Sequence, residues 1–187
     1  MAEVSPLAGW APVDGARLRI AEVPLLTQVN LRLPASGLAA DAVRAQLGVP
    51  LPPPGGTNVA GALSVAGLGP DEWLVLAPPS SPAPSGTPIE ERLRGALGDR
   101  HCSIVDVSAY RTTIALDGED AADVLAHGCA LDLHPSRFPP CSVAQTSIAG
   151  TGVVLLARPD GGFWLLVRAS YARHLAGWLA DAAVEYR

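Results

Sequence analysis

A tryptophan-bearing apolar stretch that follows an acidic or glycine turn occurs twice in this chain. The first copy reads Asp71-Glu72-Trp73-Leu74-Val75-Leu76 and the second Gly161-Gly162-Phe163-Trp164-Leu165-Leu166-Val167. The segments around each follow one order: strand, helix, proline-rich loop, strands, helix. The second copy is the longer, and an additional strand near 153–158 accounts for the excess. Such a repeat points to a single domain over residues 1–187, made of two similar halves at about 18–98 and 101–187. Because its hairpins are local and its helices few, the expected class is α+β, with mostly antiparallel sheets and packed helices.

The individual segments support that class. Residues 27–33 alternate, with Val29, Leu31 and Leu33 on one face of a half-buried strand. Ser36 and Asp41 precede a short helix through Val43 and Leu47, which Gly48 and Pro50 stop. Pro and Gly exclude regular structure at 50–56; strands are expected at 58–66 and 72–77, joined by a turn at 67–71. Residues 78–87 form a Pro/Ser/Gly linker, expected to be mobile and exposed. It ends in a helix start, with Thr87 as cap, Pro88 at the first helical position and Glu90 completing a capping box. That helix runs through Leu93 and Leu97 to Gly98. Strands are expected at 103–107 and 111–116, then a helix capped by Asp117 that ends at Gly128. Three more strands follow at 142–148, 153–158 and 163–168. Ser170 is expected to cap the last helix, where Leu175, Trp178, Leu179 and Ala182 recur at helical spacing.

Composition removes several functional classes. Hydrophobic residues make up 49% of the chain and charged residues 17%, ample for a core, and the net charge is −5 with no basic tract. A nucleic-acid partner would call for a basic stripe against the phosphates, so none is expected. All 13 basic residues are arginine, which excludes a Schiff-base lysine and the lysine of a phosphate loop. Residues 1–9 lack a basic segment leading into an apolar core, and apolar runs such as 152–157 fall far short of the ~20 residues of a bilayer span. Cys102, Cys129 and Cys141 are widely spaced, without a C-x-x-C pair, as in a reducing compartment. A cytoplasmic protein without a membrane partner is the expectation.

The motifs of common chemistries are missing. Gly67-Leu68-Gly69 and Gly150-Thr151-Gly152 lack the third glycine and following helix of a dinucleotide site, and read as turns. His101, His127, His134 and His174 form no pair spaced for a metal, and no G-x-S-x-G exists for a serine nucleophile. His134, in a Leu-His-Pro loop, can point its ring outward; a structural hydrogen bond is the plainer role. Asp71-Glu72 reads as a turn acid and a strand entry, and Asp106 with Arg111 as a corner ion pair.

Several segments taken together resemble a known family. They are Leu68-Gly69-Pro70-Asp71-Glu72-Trp73-Leu74, Val105-Asp106-Val107-Ser108 with Arg111-Thr112, and Gly128-Cys129 with Leu131-Asp132-Leu133-His134-Pro135. Phe138-Pro139-Pro140, Gln145-Thr146 and the closing Trp178-Leu179 helix complete the set. From about Val23 to the C-terminus, apart from 78–87, their order and spacing resemble the gamma subunit of heterotetrameric sarcosine oxidase. That family is similar in turn to the folate-binding aminomethyltransferase of the glycine cleavage system, which implies an aminomethyltransferase-like scaffold. This chain departs from that enzyme where its G-G-I-x-D-D segment carries the catalytic aspartate. Here the residues are Gly150-Thr151-Gly152-Val153-Val154-Leu155, and the enzyme's V-N-A is Val167-Arg168-Ala169. An acid to assist methylene transfer has no counterpart.

The resemblance implies a non-catalytic subunit of a complex that oxidatively demethylates sarcosine to glycine and passes the one-carbon unit to tetrahydrofolate. FAD, FMN, NAD and tetrahydrofolate would be held by the alpha, beta and delta subunits, and none by this chain. An interface of that kind calls for aromatic and arginine anchors. Arg111, His134, Arg137, Phe138 and Tyr171 are the candidates, with Trp73 and Trp164 equally suited to core packing. The alternative is a stand-alone folate-binding or aminomethyltransferase-like protein. The two readings separate in the purified chain. It is expected to carry no flavin absorbance after gel filtration and to transfer no methylene group to tetrahydrofolate. Either signal would favour the stand-alone reading.

Overall fold

Two sheets share one order over five strands, although one is drawn from a continuous segment and the other from two. The computed structural model describes residues 4–78 and 88–186. In chain order, strands β1 (Val13–Asp14), β2 (Arg19–Val23) and β3 (Thr27–Arg32) lead into helix α1 (Leu38–Leu47). Strands β4 (Thr57–Ala60), β5 (Leu63–Gly69) and β6 (Glu72–Ala77) follow, then helix α2 (Ile89–Leu97) and strand β7 (Ser103–Asp106). Next come β8 (Arg111–Asp117), helix α3 (Ala121–Ala126), and strands β9 (Val143–Ile148), β10 (Thr151–Ala157) and β11 (Phe163–Arg168). A 3-10 turn at Ala169–Tyr171 opens the last helix, α4 (Ala172–Ala182). The class is α+β with antiparallel sheets, as expected. Among the described residues no helix is long and apolar enough to cross a membrane.

The chain forms two compact units, one of Leu26–Ser108 and one of the segments up to Leu25 and from Ala109. The Leu26–Ser108 unit holds a sheet of order β4-β5-β6-β3-β7, and the other a sheet of order β1-β2-β8-β11-β10-β9. In each, a first strand (β3 or β8) is followed by a helix, a three-strand meander and a second helix. The fifth strand differs in origin. β7 pairs with β3 and β2 pairs with β8, so β2–β3 and β7–β8, consecutive in the chain, are each divided between the two sheets. The unit boundaries therefore fall at Leu25 and Ser108, not at the sequence halves 18–98 and 101–187. β2 escaped the sequence reading because Arg-Ile-Ala-Glu-Val buries a single residue fully, Ile20, and its partner lies far along the chain.

Helices cover one face of each sheet. In the central unit, Trp73 and Val75 of β6 join Val29, Leu31 and Val65 beneath α1 and α2. The helices answer with Ala40, Val43 and Leu47, and with Ile89, Leu93 and Leu97, each set one turn or two apart. In the other unit, Ile114, Leu116, Leu155, Leu165 and Val167 pack with Val124 of α3 and with Leu175 and Leu179 of α4. Each fully buried leucine or valine contributes about 1.5–3 kcal/mol. Leu74, Leu76 and Leu166 lie on the opposite faces of these strands, so the runs are continuously apolar instead of alternating.

Some boundaries differ from the sequence reading, each for a local reason. The strand expected at 58–66 is cut by a turn at Gly61, whose φ of 59° suits glycine, into the β4–β5 hairpin. Gly67 to Gly69 belongs to β5, not to a turn, with a bulge against β6. Asp117 is the last residue of β8, and Asp120 occupies the N-cap of α3. Ser170 lies inside the 3-10 turn, leaving Tyr171 at the N-cap of α4. The expected linker beyond Pro78 and the Thr87 cap lie outside the described residues, and Pro88 stands at the N-cap of α2.

Two glycines are required by close approach. At Gly67 a Cβ would stand 2.3 Å from the Pro53 carbonyl oxygen, where the 50–56 loop crosses the sheet and Trp73 Nε1–H donates to Pro52 O at 2.9 Å. At Gly128 a Cβ would stand 2.7 Å from the Trp178 ring. Ala149, which has a positive φ of 50°, donates its N–H to the Gly128 carbonyl, so ring, loop and β9–β10 turn meet there. Gly128→Ala is expected to destabilise the chain by about 1–3 kcal/mol through displacement of Trp178. Gly177→Ala, one residue away, is expected to stabilise it by about 0.5–1 kcal/mol, since that helical position is exposed and nothing lies within 4 Å of the added carbon. Urea unfolding of both variants checks the opposite signs.

Candidate functional site

Arg111 begins β8, Arg168 ends β11, and the two are direct Cα partners in the antiparallel ladder. Val167 and Ile114 face the helices, so alternation turns both arginines to the other face of the sheet. Along the same edge Gly152 of β10 pairs with Ser147 of β9, one step beyond the Val153–Val167 rung that joins β10 to β11. The row therefore runs guanidinium, guanidinium, glycine, serine. The missing side chain at Gly152 leaves a depression, and a Cβ placed there meets nothing within 4 Å. The result is a concavity of about 610 Å³ whose wall includes Arg111, Gln145, Ser147, Gly152, Arg168 and Tyr171.

Tyr110 sets the two cations. Its carbonyl accepts the N–H of Ala169 at 3.0 Å, continuing the ladder beyond Arg168. Its ring centroid lies 4.7 Å from Arg111 Cζ and 5.5 Å from Arg168 Cζ. Each contact is worth about 0.5–1 kcal/mol at an exposed site. Like charges directly opposite on a ladder repel, so one aromatic face partly offsets the cost of holding two guanidiniums together. Chemically the arrangement favours an anion with two oxygens, the geometry to which guanidinium forks are suited. The wall carries no carboxylate, and Val153 and Val154 within it are both buried. Among the described residues no cluster of His, Cys, Asp and Glu could hold a metal ion.

The structure thus brings Arg111 and Tyr171 together and places the other three candidates on a separate loop. His134 donates its backbone N–H to Asp132 Oδ1 at 3.0 Å, and its Nδ1 lies 2.8 Å from Ser136 Oγ. The N–H groups of Arg137 and Phe138 donate to its carbonyl, which fixes the loop locally. Arg137 is exposed, while Phe138 is half-buried and packs on the helix-side core. Trp73 is fully inside the core, and Trp164 is half-buried with Arg158 Cζ 5.8 Å from its ring. Asp106 accepts from the N–H and hydroxyl of Ser108. Glu72 accepts from Asn30 and Arg32, so it is a structural acid. On the β10–β11 turn, the hydrogen bond from Arg158 holds the Asp160 carboxyl below its ordinary range. Its contribution to stability is present at neutral pH and fades as the pH falls through that lowered value.

Tyr110, Gly152 and Arg168 were not singled out as site residues from the sequence. Val167-Arg168-Ala169 was visible as a departure from an asparagine, yet its meaning depends on the β8–β11 register, which no local pattern reveals.

Comparison with known proteins agrees with the segments that carried the resemblance. The pattern described as "Sarcosine oxidase, gamma subunit family" matches residues 34–185. The sarcosine oxidase subunit gamma of Corynebacterium sp. (strain U-96) is 38% identical over 180 residues, 94% of this chain and 84% of the relative. That of Corynebacterium sp. (strain P-1) is 35% identical over 90% of this chain and 81% of the relative. Among solved structures, a chain of the heterotetrameric sarcosine oxidase from Corynebacterium sp. U-96 in complex with pyrrole 2-carboxylate superposes with a TM-score of 0.88. Its identity is 34%, covering 98% of this chain and 96% of that one. Aminomethyltransferase T of the glycine cleavage system from Bartonella henselae shares the fold, with a TM-score of 0.65 at 15% identity, over 88% of this chain and 45% of that one. With a family pattern spanning most of its length and a solved counterpart matched almost end to end, this chain belongs to the sarcosine oxidase gamma subunit family.

Proposed function

We propose that this chain is the non-catalytic gamma subunit of a cytoplasmic heterotetrameric sarcosine oxidase. The complex demethylates sarcosine oxidatively to glycine and transfers the one-carbon unit to tetrahydrofolate. Its FAD, FMN, NAD and folate sites reside on the alpha, beta and delta subunits, and this chain packs against the large subunit and stabilises it. One observation carries the reading: a chain of a heterotetrameric sarcosine oxidase matches this one over 98% of its length at 34% identity. The apolar residues at the acid position of the related transferase are consistent with a scaffold role. The stand-alone folate-binding reading rests only on a shared fold at 15% identity.

Co-expression with the other three subunits tests this directly. A tag on this chain is expected to retrieve a tetramer with flavin absorbance and sarcosine-dependent oxidase activity. Elution of the chain alone, beside an oxidase that is complete and stable without it, would refute the reading.

Docking through the 132–140 loop makes a separable prediction. Its backbone is pinned by Asp132 and His134 and stiffened by proline, so little entropy is lost on binding. Arg137→Ala is expected to leave the unfolding midpoint of the chain unchanged while weakening assembly. Phe138→Ala, which removes a ring from the core, is expected to cost about 1–3 kcal/mol of stability before any effect on assembly. Thermal unfolding and gel filtration of each variant distinguish the two residues.

A further inference from the structure

We infer that the Asp160-Gly161 step on the β10–β11 turn is a covalent modification site, where the aspartyl linkage converts spontaneously to isoaspartyl, and that Arg158 restrains the conversion. The inference is independent of the proposed function and requires only the folded chain. The reaction joins two neighbours. The main-chain nitrogen after an aspartate attacks its Cγ, a C–N bond forms, and the carboxyl hydroxyl leaves with the amide proton as water. Water then opens the five-membered imide at either carbonyl, giving aspartate again or isoaspartate, whose main chain runs through the side-chain carbon. The water lost is regained, and no oxidant or other reactant is consumed. A following glycine exposes the nitrogen most, because it carries no Cβ.

The sequence contains three such steps, Asp14-Gly15, Asp117-Gly118 and Asp160-Gly161. Regular structure restrains the first two. Asp14 and Asp117 are both ladder partners of Arg19. Gly15 donates its N–H to Leu18 O at 2.8 Å, and Gly118 is packed so closely that a Cβ would stand 2.1 Å from Arg17 O. Asp160 differs from both. It is exposed, lies between strands in no ladder, and precedes two glycines with φ of 95° and 75°. The N–H of Gly161, the nucleophile of the ring closure, makes a longer hydrogen bond of 3.3 Å.

Arg158 holds both reacting groups. Its carbonyl accepts the Gly161 N–H, and its guanidinium takes both carboxylate oxygens of Asp160, Nε donating to Oδ1 at 3.0 Å and Nη2 to Oδ2. Nη1 donates to Asp117, and the head lies 5.8 Å from the Trp164 ring, so the guanidinium is itself held in place. Ring closure needs the carboxyl to turn toward the Gly161 nitrogen, which the two-pronged contact opposes. It also needs a neutral acid, whose hydroxyl can leave. The guanidinium keeps the carboxyl ionised, in line with its lowered pKa. The turn is therefore chemically suited to conversion, with one side chain limiting its rate. Conversion would lengthen the main chain by a carbon inside a hairpin closed by Arg158 N–H on Gly162 O at 3.0 Å.

The test incubates the purified chain in heavy-oxygen water at neutral pH and maps its peptides by mass spectrometry. Each ring opening introduces one heavy oxygen, whichever linkage results, and chromatography separates the isoaspartyl peptide. In the wild-type chain, label is expected at Asp160 ahead of Asp14 and Asp117. Arg158→Gln is expected to raise uptake at Asp160 by about three- to ten-fold, in proportion to the larger neutral fraction, and to leave Asp14 unchanged. Arg158→Lys keeps the charge but not the fork, and is expected to fall between the two. Asp160→Glu, which lengthens the side chain beyond a five-membered ring, is expected to abolish the signal at this position in either background. Equal uptake at Asp160 in the wild-type chain and Arg158→Gln would overturn the restraining role. Label appearing first at Asp14 or Asp117 in the wild-type chain would overturn the assignment of the site. If Arg158→Gln raises uptake at all three steps together, that variant has unfolded. Arg158→Lys, with its unfolding midpoint held, then decides: a selective rise at Asp160 upholds the inference, and none overturns it.

Discussion

The register between β8 and β11 is the constraint on which the site-bearing unit depends. β8 is paired on both sides, with β2 and with β11, and it has little freedom to slide. Its alternation sends Ile114 and Leu116 to the helices and Arg111 to the opposite face. A slip of one residue would exchange those faces, placing a guanidinium under α4 and a leucine at the sheet edge. Burial of the aliphatic side chains is what forbids this, so the hydrophobic core determines the position of two charges, Arg111 half-buried and Arg168 exposed. Thr112 adds a polar check: its hydroxyl donates to Glu22 of β2 at 2.8 Å, fixing the neighbouring strand as well.

Much of what makes the family recognisable is packing and not chemistry. Gly128 leaves room for the Trp178 ring, and Gly67 leaves room for the Pro53 carbonyl. Trp73 holds the same loop through Pro52. Gly128, Trp178 and Trp73 stand in the segments that carry the resemblance, and each is explained by a close contact inside one unit. A scaffold subunit would retain such positions without a catalytic acid, because the shape it presents depends on them.

The sequence showed the elements well and their partners poorly. Helical spacing identified Leu175 and Leu179, and the two tryptophan-bearing repeats foreshadowed two sheets of equal strand order. The two tryptophans of that repeat part company: Trp73 lies in the core of its unit, whereas Trp164 is half-buried beside Arg158. What local pattern could not show was pairing across distance. β2 carries a weak apolar signal, and its membership in the sheet is decided by β8, 90 residues on at the Glu22–Thr112 contact. The same gap hid the site: Arg111 and Arg168 become neighbours only through the ladder. Phe138 was read with its arginine neighbour, whereas contact with the core separates the two.

The division of β2–β3 and β7–β8 between two sheets has a consequence during synthesis. β2 leaves the ribosome early, but the strand it must pair with follows about 90 residues later. At roughly 5–20 residues per second that is a wait of about 5–20 s. During it the whole Leu26–Ser108 unit can emerge and close its own sheet with β7. The nascent N-terminal arm therefore stays unpaired beside a finished unit until β8 appears. Such an arm is a natural target for a chaperone, and it is short and bears Arg19 and Glu22, charges that discourage pairing with a neighbouring chain.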